Sequence, residues 1–248
     1  MRFQDAAKDA RAVVYAGIQA DPSVARAADL LADATLAERV LARAVMNGET
    51  TEPDRWRAMF PTLFGSEAAA DDGDPARSEA ILTVSLAVAD RGEQVRSQVR
   101  GALVEELTAR LLARRTGTDA VRRERRILFD GVRAEIHPYD VTVERDRAAE
   151  AYDCKWGARG INADVLHQLD DARAHAAGED EALAVALVVF DARRSCDVRL
   201  AHQTAPHEAT RVVTIETLDG LAEPGPCPNP TAVPPSTASG STNAGRMG

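Results

Sequence analysis

The 248-residue chain predicts an α/β fold: a mixed β-sheet with helices on its faces, preceded by an α-helical N-terminal region. Three observations carry that prediction. The first ninety residues are alanine-rich, with Leu and Val at three- and four-residue spacing. After Gly117 the period changes to short alternating or β-branched segments. A helical stretch and an apolar strand then follow, so residues 91–222 read helix, strand, strand, strand, helix, strand.

The N-terminal region, residues 1–90, reads as helices over "DAAKDARAVVYAGIQA", "PSVARAADLLADA" and "TLAERVLARAVMNG". Asp21-Pro22 and Thr35 are suitable helix starts, and Asn47-Gly48 a suitable stop. "EPDRWRAMF" adds a short helix and "GSEAAADDGDPA" an exposed acidic loop. A longer helical stretch covers roughly 76–115, with a break at Arg91-Gly92, and ends at Gly117. "RRERRILF", "YDVTVERD" and "AEAYDCKW" read as three strands. "NADVLHQLDDARAHAAG" is a helix with Asn162 as its N-cap and Gly178 as its stop. "ALAVALVVFDARR" is an apolar run fitting a strand buried on both faces, and "RVVTIETL" a final strand. Residues 223–248 are rich in Pro, Ser, Gly, Thr and Asn, the composition of a disordered tail.

Composition narrows the partners. At 45% apolar and 28% charged the chain has the make-up of a soluble globular protein. No run of 18 or more apolar residues suggests a membrane span, and the acids in "MRFQDAAKDARAVVYAG" argue against a secretory signal. Cys154, Cys196 and Cys227 lack CxxC spacing, which points to neither a disulfide framework nor a zinc knuckle and implies a reducing cytoplasm. The net charge of −9 is unevenly spread: residues 91–126 hold ten arginines against five acids. That basic excess is the candidate footprint for a polyanion, and its other reading is a solvated arginine face. Arg110, Arg114, Arg115, Arg122, Arg123, Arg125 and Arg126 are the candidate phosphate contacts, which position a nucleic acid without reading its sequence. GxxxxGK[ST], HExxH and GxSxG motifs are absent from the sequence.

The chain has only two lysines, Lys8 and Lys155, against 28 arginines, and Lys155 stands two residues after Asp153. Side chains alternate across a strand, so Ala151, Asp153 and Lys155 share one face and Tyr152, Cys154 and Trp156 the other. In the preceding strand Tyr139, Val141 and Val143 form an apolar face, with Asp140, Thr142 and Glu144 opposite. Side by side, the two strands bring Asp140 near Asp153 and Lys155. Two converging carboxylates beside an ammonium suit a hard divalent cation, Mg²⁺ with Mn²⁺ as its substitute. A lysine there orients an attacking water better than arginine's planar fork does. Cys154 reads as a small buried residue whose carbonyl matters, Trp156 as strand-end packing, and His137 as an incidental loop histidine.

Element order and residues together resemble the PD-(D/E)XK nuclease superfamily, over roughly residues 95–195. Its restriction-endonuclease-like core runs αβββαβ. The glutamate of its first helix falls in "GALVEELTARLLARR", on Glu105, with neighbouring Glu106 as the alternative. Asp140 in "PYDVTV" matches the second-strand aspartate, Asp153 and Lys155 the acid-x-lysine of the third, and Gln168 in "LHQLDDA" the glutamine of the following helix. The third-strand acid is aspartate where the superfamily more often has glutamate. The resemblance implies a metal-dependent nuclease acting on nucleic acid, DNA above all, in restriction, defence or repair. Asp140, Asp153 and Glu105 would hold the metal, Lys155 would position the nucleophilic water, and Gln168 would contact phosphate or water. Double-strand cleavage would favour a homodimer. The alternative is a catalytically inactive DNA-binding or assembly module on the same fold.

Overall fold

The computed structural model describes residues 1–6, 10–65, 74–130, 132–133, 137–145, 148–205 and 210–223. The acidic stretch 66–73 and the tail beyond Glu223 lie outside these residues. A short strand β1 (Arg2–Asp5) opens the chain. Helices α1 (Ala10–Gln19), α2 (Pro22–Ala32), α3 (Leu36–Asn47), α4 (Pro53–Met59), α5 (Pro61–Phe64), α6 (Pro75–Ala89) and α7 (Glu93–Thr116) follow. Then come β2 (Val121–Phe129), β3 (Val132–Arg133), β4 (Tyr139–Arg145), β5 (Ala148–Lys155), α8 (Ala163–Gly178), β6 (Ala182–Val189), α9 (Arg193–Ala201) and β7 (Arg211–Val213). Among the described residues none of these helices is long and apolar enough to cross a membrane.

Local chemistry sets most boundaries. Asp21 caps α2 through a bond from Ser23 N–H, with Pro22 at the first helical position. Thr35 and Glu38 form a reciprocal capping box at α3. Asn162 caps α8 by accepting from Val165 N–H. Gly117 ends α7 with φ +83, a conformation that favours glycine.

The result is a mixed α/β architecture. The sheet runs β1-β2-β4-β5-β6-β7, with β3 paired to the end of β2. Strands β1, β2, β4 and β5 pair antiparallel in sequence, whereas β5–β6 and β6–β7 are parallel. Val141, Val143, Tyr152, Cys154, Ala186 and Val188 face α7 and the N-terminal helices. Ala149, Ala151, Leu183, Val185 and Leu187 face α8 on the other side.

Several expectations change. The region 1–90 is not purely helical, since β1 forms the sheet edge, and its helices share one apolar core with α7 and the sheet. Helix α9 begins only a few residues after β6, in what looked like the end of an apolar run. Tyr139 does not join Val141 and Val143 but lies in the α8-side core. It sits where the β2–β4 ladder is interrupted: Arg123 pairs with Val141 and Arg125 with Tyr139, while Glu124 between them has φ 51.

Candidate functional site

At the carboxyl end of β5 and the amino end of β4 the sheet opens into a cleft of about 950 Å³. Asp140, Asp153, Lys155, Glu105 and Glu124 line it, with Tyr15, Gln94, Gln98 and His137. Antiparallel pairing of Val141 with Tyr152 brings Asp140 beside Cys154, whose backbone N–H donates to Asp140 Oδ2 at 2.6 Å. The N–H of Cys154 thus serves the site by holding the Asp140 carboxylate. The thiol is buried, meets Thr108, and is held protonated by burial and the Asp140 charge.

Asp153 is 5% exposed and forms an ion pair with Lys155 through Oδ1. That oxygen accepts no well-aligned hydrogen bond, so the close approach is coulombic. Lys155 is pulled both ways: burial lowers its pKa, but the carboxylates of Asp153 and Asp140 prevail and raise it to about 12. Its stem lies against Gly160, where a Cβ would stand 2.9 Å from both Lys155 Cγ and Cδ. Asp191 braces the segment after Lys155: its Oδ2 accepts from Ala158 N–H at 3.0 Å and pairs with Arg43 at 2.6 Å.

Three further acids carry raised pKa values. Burial pushes Asp140 well above the usual carboxylate range, with repulsion from Asp153 and Glu105 added. Burial also raises Glu105, against the hydrogen bonds from Tyr15 and Gln19 that favour its charged form. Glu124 is raised by burial and by Glu105. Tyr15 is itself pushed up by burial and by Glu105, so its phenol remains a donor.

Between the neighbouring acids on α7, Glu105 lines the cleft, while Glu106 pairs with Arg110 and Arg123. Gln168 has a different place from the expected one. It is 3% exposed, does not line the cleft, and clasps the backbone of His137: it accepts from the N–H and donates to the carbonyl, both at 3.0 Å. Its role is to hold the approach to Asp140. Trp156 stacks on Phe190 and donates to Asn47, as strand-end packing should.

None of the seven candidate arginines lines the cleft. Arg110 pairs with Glu106 and Asp29, Arg114 with Asp33, Arg115 with Glu150, Arg123 with Glu106, and Arg125 with Glu144 and Asp5. Arg122 donates to the Val121 carbonyl, and Arg126 also has a partner. Sequence reasoning missed Tyr15, Gln19 and Glu124, whose approach depends on how α1 and β2 pack and leaves no mark at fixed spacing.

No family model, curated protein or solved structure matches this chain. Its chemistry must be read from the cleft. Among the described residues no three His, Cys, Asp or Glu side chains converge closely enough to hold a metal ion. Mg²⁺ does not require three, because it keeps several waters and is commonly held by one or two carboxylates plus substrate phosphate. A buried Asp153 oxygen without an aligned donor, next to a second carboxylate crowded by acids, is a donor set that fits a hard cation.

Proposed function

We propose that the protein is a metal-dependent nuclease with a restriction-endonuclease-like core, a divergent member of the PD-(D/E)XK superfamily that hydrolyses phosphodiester bonds in DNA. One observation carries the reading: Asp140 and Asp153, from adjacent antiparallel strands, meet Lys155 at an open cleft. The order α7, β2, β4, β5, α8, β6 supports it, being the helix, three strands, helix and strand of that core.

Asp140 and Asp153 would hold Mg²⁺ or Mn²⁺. Bound there, the cation supplies Lewis-acid polarisation of the phosphoryl group and makes water more acidic. Lys155, cationic at any physiological pH, donates from Nζ to orient the attacking water and to offset charge developing on the phosphate. Glu105 adds a carboxylate able to accept a proton from water. The cleft otherwise carries several acids and one ammonium, so a polyanion enters favourably only when a cation accompanies it. Arg110, Arg114, Arg115, Arg123 and Arg125 would reach phosphate by exchanging their acidic partners, whereas Arg122, on β2, is exposed and donates to the Val121 carbonyl. Paired copies would be needed to cut both strands.

The test is nicking of supercoiled plasmid by the full chain. Mg²⁺ should support nicking and EDTA should stop it, with Asp153→Ala and Lys155→Ala each at least about a hundredfold slower. Nicking that survives both substitutions removes the reading. Salt-sensitive DNA retention without nicking in any metal would instead identify an inactive binding module.

A further inference from the structure

Helix α1 belongs to the region expected to stand apart from the catalytic core, yet it supplies both hydrogen bonds to the helix acid. Tyr15 Oη donates to Glu105 Oε1 at 2.5 Å, and Gln19 Nε2 donates to Oε2 at 2.8 Å. The two donors are four residues apart, on one face of α1. The same Gln19 amide reaches Glu124 Oε1 at 3.4 Å.

The surrounding backbone is shaped for this contact. Gly101 lies one turn before Glu105 on α7, where a Cβ would stand 3.2 Å from Tyr15 Oη. Glu124 takes φ 51 within β2, a conformation that costs a non-glycine residue roughly 1–3 kcal/mol. It does so opposite Asp140, and its side chain lines the cleft. Each carboxylate oxygen of Glu105 that accepts one hydrogen bond keeps a second lone pair, so the clamp fixes the group without exhausting it.

We infer that Tyr15 and Gln19 are positioning residues of the active centre, fixing the Glu105 carboxylate, and through Gln19 that of Glu124, toward a divalent cation at Asp140 and Asp153. The inference rests on the nuclease reading for its cation. Its logic is that of the outer hydrogen bonds around metal-binding carboxylates, whose loss typically costs about 10- to 100-fold in affinity or activity.

Mn²⁺ binding to the full chain by calorimetry is the decisive readout, beside kcat and KM for plasmid nicking and the thermal midpoint. Tyr15→Phe and Gln19→Leu should each weaken Mn²⁺ about tenfold and lower kcat with KM unchanged. Val13→Ala, on an exposed part of α1, should change neither. In a Glu105→Gln background the Tyr15→Phe loss should vanish and the Gln19→Leu loss should shrink to what passes through Glu124, because both residues act on Glu105 and Gln19 also reaches Glu124. Undiminished losses in that background would show a general packing role and overturn the clamp. So would wild-type affinity in a folded Tyr15→Phe/Gln19→Leu double variant. Should the phenylalanine variant fail to fold, Gln19→Leu alone decides. Wild-type protein that binds no Mn²⁺ overturns clamp and nuclease together. Binding without cleavage removes only the nuclease, and the variant affinities still judge the clamp.

Discussion

Lys155 shows what a single position demands. Its ammonium must reach Asp153 while its stem crosses the loop that follows β5, and Gly160 leaves room for that stem. Gly160→Ala places a methyl within 3 Å of the lysine's Cβ, Cγ and Cδ, so the side chain must turn. We expect nicking to fall about tenfold in this variant with the fold intact, measured as kcat beside circular dichroism. Asp140 makes the opposite demand, on stability. Its folded pKa is raised, so its contribution to stability is complete below the unfolded carboxylate range near about 4 and is lost as pH rises through the folded value. Asp140→Asn should therefore melt about 2–4 °C above wild type at pH 8, with the gap closing toward pH 4. An asparagine variant less stable than wild type at pH 8 would mean that this acid is not strained by its neighbours. The pair at 153 and 155 was legible from alternation in a strand. Tyr15 and Glu124 were not, because their approach is a product of tertiary packing.

Elements position these residues by clasping backbone as much as by packing. Helix α8 sends Gln168 to the N–H and carbonyl of His137, and Tyr139 returns a hydroxyl to the Gln168 carbonyl at 3.4 Å. The start of β4, and so Asp140, is tied to a helix on the opposite layer. Gln168→Ala should cost about 1–2 kcal/mol in denaturant unfolding and slow nicking without altering KM. If the side chain instead met substrate, KM would rise while stability held. Most elements were readable because capping residues, period and strand-length apolar runs agree at α2, α3, α8 and β6. Those missed lack local signal. Strand β1 has four residues, β3 has two, and α9 begins with no side-chain cap. The arginine stretch gains acidic partners that spacing alone does not reveal. Residues 91–126 are basic along the chain, but Asp29, Asp33, Glu144 and Glu150, which pair with Arg110, Arg114, Arg125 and Arg115, arrive from α2, the end of α2, β4 and β5.

At the scale of the molecule, those ion pairs and a shared core join what looked like separate regions. One apolar cluster runs from Val24 of α2 through Leu41 of α3, Leu82 of α6 and Leu107 of α7 to Val188 of β6 and Leu221 near the described C-terminus. Arg39 of α3, 2% exposed, bonds to the carbonyls of Leu31 and Ile215 and to Asp219 at 2.5 Å, tying α2 and α3 to the segment after β7. On this face the sheet is covered by α7, the helices packed on it and the segment holding Ile215, Leu218 and Leu221. A fragment of residues 91–222 would keep α7 on the sheet but strip the apolar residues of α7 that pack on α2, each costing roughly 1.5–3 kcal/mol when exposed, against a total stability of about 5–15 kcal/mol. The whole chain should accordingly melt in one transition with calorimetric and van't Hoff enthalpies equal, and the 91–222 fragment should not fold. Arg39→Ala should lower the midpoint of that single transition by several degrees without splitting it, because it strands buried carbonyls common to both regions. Two resolved transitions, the upper one kept by the fragment, would show instead that the sheet and its α8 face stand without the N-terminal helices.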